Sequence, residues 1–541
     1  MPDITICSLR DSMIKKSLRV VAAVIEEQGR ILICRRKNRD GSAGRWEFPG
    51  GKLEQGETER ECLARELMEE LGVAVEPSML LARVEHEYDT FSVKLAFYRA
   101  RITGGTMTLN VHADAKWAAG SSLPEYDFLP ADTAFVRGLA QGDFGEQAMK
   151  NDFETHIDKL ESGSVKWNEM KKANPAVGKG IVPLSVADME FKTAPEIVQG
   201  LKAYLDSMNV GYTQATDSYY EAVSMWMARR HGWKIEKEWI VTTPGIVFAL
   251  GLSVQTFTQP GDGVIIMTPV YYPFYMVVEQ SGRKLQKNAL INNDGYYEID
   301  FDDLERKARD ENTKMLILCS PHNPVGRVWT KEELLRVGEI CEQNGVLAVV
   351  DEIHNDLIMP GFTHTVFPNV REGFADNAVI CTAPSKTFNL AGMQVSNIVI
   401  KNKELRRKFA RAKYGCGMIE LNALGYQACE IAYRSCEGWL EELLSVLDEN
   451  RRFVEDFIAQ RLPKIKVSRL EGTYLMWLDL REYGIDHREL ERIMTQEAQL
   501  FFDEGYIFGE DGKGFERVNI ACPKAVLEQA MQRLEIALQN K

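Results

Sequence analysis

The chain has 541 residues, 45% of them hydrophobic and 27% charged, and a formal net charge of -14. That length exceeds one ordinary domain of roughly 100 to 200 residues, so at least two folding units are expected. No stretch approaches the run of about 18 apolar residues that a membrane span needs, and the acidic balance disfavours binding to a nucleic-acid polymer, which requires basic patches to displace counterions.

Residues 1–17 read as a tail. They lack an apolar run followed by a small-residue cleavage site, which points to the cytoplasm. From residue 18, strand patterns at 19–25 and 31–35 flank a turn, a helix is expected over 59–71 and a further strand over 92–99, making a small α/β unit that spans 18–139. The polar stretch 140–154, AQGDFGEQAMKNDFE, is the one plausible seam, with a linker at 140–150 and the boundary near Met149. From 151 to 541, apolar runs of strand length at 263–267, 314–319, 346–350, 378–383 and 396–400 alternate with amphipathic helices. Such runs predict a parallel sheet covered on both faces, with catalytic residues at the carboxyl ends of its strands. The ten cysteines are scattered without a Cys-x-x-Cys pair and read as reduced, mostly buried thiols.

The first chemical signal is residues 51–73, GKLEQGETERECLARELMEELGV. Glu66, Glu69 and Glu70 lie at i, i+3 and i+4, so the three carboxylates share one helix face and repel one another unless a cation intervenes. A hard divalent ion such as Mg²⁺ (or Mn²⁺) suits oxygen ligands and bridges to phosphates. A solvated acidic face is the bland alternative, opposed by the loop, by Arg65 and by the closing Gly72. The segment matches the Nudix box without a departure, and residues 18–139 resemble Nudix hydrolases. The resemblance implies a small α/β/α sandwich, a metal held by Glu66, Glu69, Glu70 and Gly51 with the glutamates catalytic, and an Arg65–Glu57 pair orienting loop and helix. WEFPGGK at 46–52 is similar to the MutT-like branch that acts on nucleoside triphosphates. There Arg36 would contact the nucleotide and Asp132 would read the base edge. Lys116 stands where some members place another metal-binding glutamate.

The second signal is TAPSKTFNLAG at 382–392, where a lysine is awkward as core but suited to trapping an aldehyde. VDEIH at 350–354 and SPHNPVGR at 320–327 sit at the ends of two other predicted strands. Together the three segments resemble fold-type I pyridoxal-phosphate enzymes, which implies a mainly parallel central sheet followed by a smaller C-terminal α/β domain. Lys386 would then carry pyridoxal 5'-phosphate as a Schiff base and move the Cα proton, while Asp351 would keep the pyridine nitrogen protonated. Asn323 and His354 would bond the ring oxygen, and Tyr271 would stack on the ring. The N–H groups of Gly245, Ile246 and Val247, opening an amphipathic helix, would bind the phosphate with the Ser385 hydroxyl. Tyr212 matches a tyrosine that reaches the phosphate from a neighbouring subunit, implying a homodimer through this domain. Arg517 matches the arginine that grips the substrate α-carboxylate. Taken singly, Asp351 could cap a strand, Arg517 form a surface ion pair, and Tyr271 and Tyr212 be core aromatics.

SVKW at 164–167, VADMEF at 186–191, HNPVGR at 322–327 and DEIH at 351–354 resemble the MalY/PatB cystathionine β-lyases across 151–539. Gln394 agrees, standing eight residues after Lys386 where many aminotransferases have a phosphate-binding arginine. The expectation is a bifunctional α/β enzyme with small-molecule substrates. One half would be a carbon–sulfur β-lyase acting on a sulfur amino acid to give thiol, pyruvate and ammonia. The other would be a Mg²⁺-dependent nucleoside triphosphate diphosphohydrolase. An aminotransferase shares the same pocket, and either half could instead be a regulatory module that binds a nucleotide or a partner.

Overall fold

A computed structural model describes residues 16–27, 30–37, 44–54, 57–88, 90–141, 151–539 and 541. The chain divides into two compact units, residues 1–150 and 151–541. Most of the tail and linker expected from the sequence lies outside the described residues.

In the first unit, Lys16–Glu27 runs parallel to Phe91–Gly105, which pairs antiparallel with Val73–Glu87. Gly50–Lys52 adds to the other side of Lys16–Glu27, and Arg30–Arg36 pairs with His112–Ala119. Side chains alternate across a strand. Ala22 and Val24 therefore enter one core, with Phe135, Val136 and Leu139 of the helix Thr133–Gln141. Val21, Ala23 and Ile25 enter another, with Cys62, Leu63, Leu67 and Leu71 of the helix Glu59–Leu71. A helix on each face makes the α/β/α sandwich. Glu59–Leu71 has the expected bounds because its ends are specified locally. Thr58 and Glu61 form a reciprocal capping box, and Gly72 closes the helix at φ 66°.

The second unit is built on a seven-stranded sheet in the order Lys284–Ala289, Gly263–Thr268, Thr313–Cys319, Leu347–Asp351, Ala378–Thr382, Ser396–Val399, Ile240–Thr243. The first five strands are mutually parallel and buried on both faces near the centre. Ser396–Val399 departs from the parallel expectation, running antiparallel to both neighbours. Its link to Ala378–Thr382 carries only the short helix Pro384–Thr387 and a single further turn at Ala391–Met393. The helix Ile246–Phe257 is not amphipathic as predicted. Ile246, Ala249, Leu250, Leu252 and Val254 are all buried, and Ser253 and Thr256 satisfy their hydroxyls on carbonyls four residues back. A smaller antiparallel sheet, Lys466–Val467, Leu475–Asp479, Phe515–Asn519 and Asp503–Glu504, completes the C-terminal part with the helices Glu437–Arg461 and Lys524–Leu538.

Among the described residues no helix is long and apolar enough to cross a membrane. The nine described cysteines are all free, and all but Cys416 are buried.

Candidate active sites

Three parallel strands of the second unit deliver their carboxyl ends to one place. Thr313–Cys319 leads to Asn323, Leu347–Asp351 ends on Asp351 with His354 just beyond, and Ala378–Thr382 leads to Ser385 and Lys386. With Gly245, Ile246, Val247, Tyr271 and Arg517 these residues line a single cavity of about 780 Å³.

Burial dominates the electrostatics. It raises the Asp351 carboxyl to about 7, although Ile353 N–H donates to Oδ1 at 3.1 Å and the Lys386 charge opposes the rise. It lowers the Lys386 amine to about 8; Arg517 and Lys166 push the same way, Asp188 and Asp351 the other. Lys386 Nζ donates to the Ala187 carbonyl at 2.6 Å. Burial, then the charges of Lys386 and Arg517, hold His354 well below its usual range, so its ring is neutral; its buried Nδ1 has no hydrogen-bond partner.

Arg517 is no surface ion pair. It is 2% exposed and stacks on Phe508, and its Nε and Nη2 both donate to Asp503 Oδ2. Its Nη1 donates to Asn323 Oδ1 at 2.8 Å, which leaves the Asn323 Nδ2 to donate elsewhere. The Tyr271 N–H donates to the Asn323 carbonyl at 3.2 Å. Gly245, at φ 138°, brings the chain into the helix Ile246–Phe257 without a side-chain cap, so the first N–H groups of that helix are open to an anion in the cavity.

These features fit pyridoxal phosphate. An uncapped helix start and a serine hydroxyl suit the phosphate, a buried carboxyl short of donors suits a protonated ring nitrogen, and the orphaned His354 nitrogen and the Asn323 amide suit the ring oxygen. Tyr212 stands apart, wholly exposed and absent from the lining of its own chain's cavity.

Several lining residues escaped the sequence reading. Asp503 is brought to Arg517 only by strand pairing, with no local signal. Val186 and Ala187 also line the cavity, and the motif VADMEF gives neither a role of its own. Three further acids, Glu169, Glu491 and Glu504, belong to the lining. Burial, then Glu491, Asp503 and Glu169, raise the Glu504 carboxyl to about 7.

In the first unit, Arg65 holds Glu57 through two contacts, Nη2 to Oε1 at 2.7 Å and Nε to Oε2 at 3.1 Å. That bond holds the Glu57 carboxyl down at about 2. The same guanidinium donates to Glu66 Oε1 at 3.0 Å. Gly51 lies so close to Glu66 that a Cβ there would fall 2.1 Å from its carboxyl carbon. Glu70 Oε2 accepts from Gly50 N–H at 3.2 Å. Burial raises its carboxyl to about 7, the Glu47 and Glu66 charges adding to the rise and His112 opposing it. Glu69 turns outward, its side chain 62% exposed and 3.6 Å from Arg65.

The expected convergence of three carboxylates is therefore not preassembled. Among the described residues no three Asp, Glu, His or Cys side chains gather around a metal-sized point. Arg65 engages Glu66, and the Glu69 side chain is exposed. The donors still suit a hard cation, since Glu70 is half-buried near like charges that a divalent ion would neutralise. Arg36 pairs with Glu47 at 2.7 Å, and Glu47 also meets His112 Nε2 at 3.2 Å. Asp132 is buried, and its carboxyl is held well above the usual range by burial and by Glu47, with Arg36 opposing. Lys116 lies over the Trp46 ring, 5.3 Å from its centroid.

Comparison with known proteins bears on both units. Residues 179–534 match the family model of class I and II aminotransferases, and residues 20–138 match that of the NUDIX domain. Cystathionine β-lyase PatB of Bacillus subtilis is 42% identical over 387 residues, covering 71% of this chain and 99% of that protein. Protein MalY of Escherichia coli is 30% identical over 386 residues, covering 71% and 97%. The crystal structure of cystalysin from Treponema denticola, which contains a pyridoxal 5'-phosphate cofactor, superposes with a TM-score of 0.72 at 49% identity, covering 72% of this chain and all of that one.

Proposed function

Because the chain belongs to the class I and II aminotransferase family, in its cystathionine β-lyase branch, and carries a NUDIX domain ahead of it, we propose a bifunctional enzyme with two independent sites. The second unit splits the carbon–sulfur bond of cystathionine or another cysteine S-conjugate, releasing thiol, pyruvate and ammonia. The first, over residues 18–139, hydrolyses a nucleoside triphosphate to the monophosphate and pyrophosphate with Mg²⁺ or Mn²⁺. The proposed setting is the cytoplasm. The proposed assembly is a homodimer through the second unit, with Tyr212 serving a neighbouring copy.

The observation that carries the pyridoxal-phosphate reading is the meeting of Lys386, Asp351 and Arg517 in one cavity. When bound there, pyridoxal phosphate supplies an electron sink conjugated to the substrate Cα. The first N–H groups of the helix Ile246–Phe257 and the Ser385 hydroxyl would hold the phosphate. Asp351 would keep a proton on the ring nitrogen, and Asn323 Nδ2 and His354 would serve the ring oxygen. Arg517 grips the α-carboxylate and so orients Cα. Lys386, lowered to about 8, has an appreciable neutral fraction near physiological pH and takes the Cα proton as general base. Gln394 lines the cavity where the aminotransferase pattern has an arginine, which favours elimination over amino transfer. L-Cystathionine given to the full chain with no 2-oxo acid should yield thiol, pyruvate and ammonia in equal amounts. Turnover only when an acceptor is added would replace this reading with an aminotransferase.

The hydrolase reading rests on Glu66 and Glu70 flanking the Gly50–Lys52 strand. A divalent cation held there supplies charge to the phosphoryl oxygens and makes bound water more acidic. Glu66, Glu70 and the Gly51 carbonyl are the proposed ligands, and Glu69 joins them by turning from water. Arg36 and Asp132 are proposed to meet the nucleotide. Release of pyrophosphate from a panel of nucleoside triphosphates tests this half, and the absence of metal-dependent release across the panel would refute it.

A further inference from the structure

Val186 and Ala187 line the cavity, Val186 in a conformation its side chain resists. Val186 sits at φ 51°, in the left-handed region that a β-branched side chain strongly disfavours. Strain of this kind persists where the surroundings over-determine it, and here the anchors come from several elements. Val186 N–H donates to Asp503 Oδ2 at 2.9 Å. Asn519 Nδ2 donates to the carbonyls of Val186 and Asp188 at 2.8 and 2.9 Å. Lys166, 1% exposed and paired with Glu190 at 2.7 Å, donates to the Asp188 carbonyl as well. The adjoining Met189 N–H donates to Asn389 Oδ1 at 3.0 Å.

What these anchors fix is one acceptor, the Ala187 carbonyl that takes Lys386 Nζ. The anchors also reach the substrate end of the site. Asp503 Oδ2 receives both Val186 N–H and the Arg517 guanidinium, and Asn519 follows Arg517 by two residues on the same strand.

We propose that residues 186–188 form a rigid post for Lys386, with Asp503 as its positioning residue. The Ala187 carbonyl holds the amine whenever it is not bonded to the cofactor, and Asp503 ties that carbonyl to the arginine that grips the substrate. This rests on Lys386 being the cofactor lysine. A wall that only closes the cavity would share the location but would not set the reactivity of the amine.

The test uses the full chain stripped of cofactor. Pyridoxal phosphate is added and the growth of visible absorbance is timed, then kcat and KM are measured with L-cystathionine. Val186→Gly leaves every charge and backbone partner in place but lets φ relax freely. Absorbance should then grow about tenfold more slowly and kcat should fall about tenfold, as expected for an amine no longer held in register, with KM within about twofold. The melting temperature should not drop. Asp503→Asn keeps an acceptor for Val186 N–H while removing the charge beside Arg517, so capture of the cofactor should stay near wild type while KM rises. Asp503→Ala should lose both. The post is refuted if Val186→Gly captures cofactor and turns over at the wild-type rate, or if Asp503→Asn slows capture as much as Asp503→Ala. A wild-type chain that gains no absorbance at all refutes the cofactor reading instead.

Discussion

Gly51→Ala probes the metal site with little expected effect on folding. A Cβ on this residue would meet Glu66 Cδ at 2.1 Å and its carboxylate oxygens at 2.3 and 2.4 Å. Carbon contacts settle near roughly 3.5 Å, so the carboxylate must retreat by about 1 Å or more. The obstacle is the tip of a flexible side chain, and re-seating one rotamer costs on the order of 1 kcal/mol, so the melting temperature should barely move. Catalysis is less forgiving, since a misplacement of about 1 Å costs on the order of 10²-fold in rate. Pyrophosphate release with Mg²⁺ should fall by about that factor while pyruvate release from the same sample stays constant. Gly50→Ala supplies the contrast, because its Cβ would strike the Val21 backbone oxygen at 2.2 Å and Gly50 sits at φ 151°. That variant should unfold the first unit more easily. Wild-type hydrolysis by Gly51→Ala would refute the placement of the metal against Glu66, and loss of both activities would refute the independence of the two sites.

Lys386→Ala should abolish visible absorbance and pyruvate release but leave nucleotide hydrolysis intact, as spectra and paired product assays would show. Arg517→Ala should lower kcat/KM by about 2–5 kcal/mol, the range for losing one buried charge-assisted contact, with cofactor absorbance retained. It should also lower the melting temperature, since Asp503 would be left buried without its partner. Glu70 gives a pH signature: its folded carboxyl is raised from 4.5 to about 7, so the folded state holds a proton the unfolded chain has lost, and metal-free stability declines as pH rises through that window. Mg²⁺ competes with the proton, so the gain in melting temperature on adding MgCl₂ should grow between about pH 6 and 8. Glu70→Gln should flatten that dependence and stop hydrolysis.

Locally specified features were legible in the sequence and features made by pairing were not. The bounds of Glu59–Leu71 follow from Thr58, Glu61 and Gly72, all within the helix or beside it. The apolar runs marked the central strands, but Ser396–Val399 looks like its neighbours in composition and its direction shows only in its pairing. Lys386, Asp351 and Asn323 stood in recognisable segments, and the parallel sheet brings them to one cavity. Asp503 did not, because an aspartate in a two-residue strand carries no signal until Phe515–Asn519 pairs with it. Helical spacing placed Glu66, Glu69 and Glu70 on one face but could not show that Arg65 pairs with Glu66 and that Glu69 is left exposed.

The cysteines matter for an enzyme proposed to release thiols. Thiol–disulfide exchange proceeds through the thiolate, and a thiol that does not ionise does not join it. Burial raises Cys62, Cys341 and Cys429 to about 12 and pushes Cys34, Cys319, Cys381, Cys436 and Cys522 up as well. Among the described residues, Cys416 alone faces solvent. As released thiol is oxidised to its disulfide by dissolved oxygen, mixed-disulfide adducts in the described part of the chain should collect at Cys416, beyond the end of the helix Lys403–Gly415, and leave the cavity around Lys386 chemically untouched.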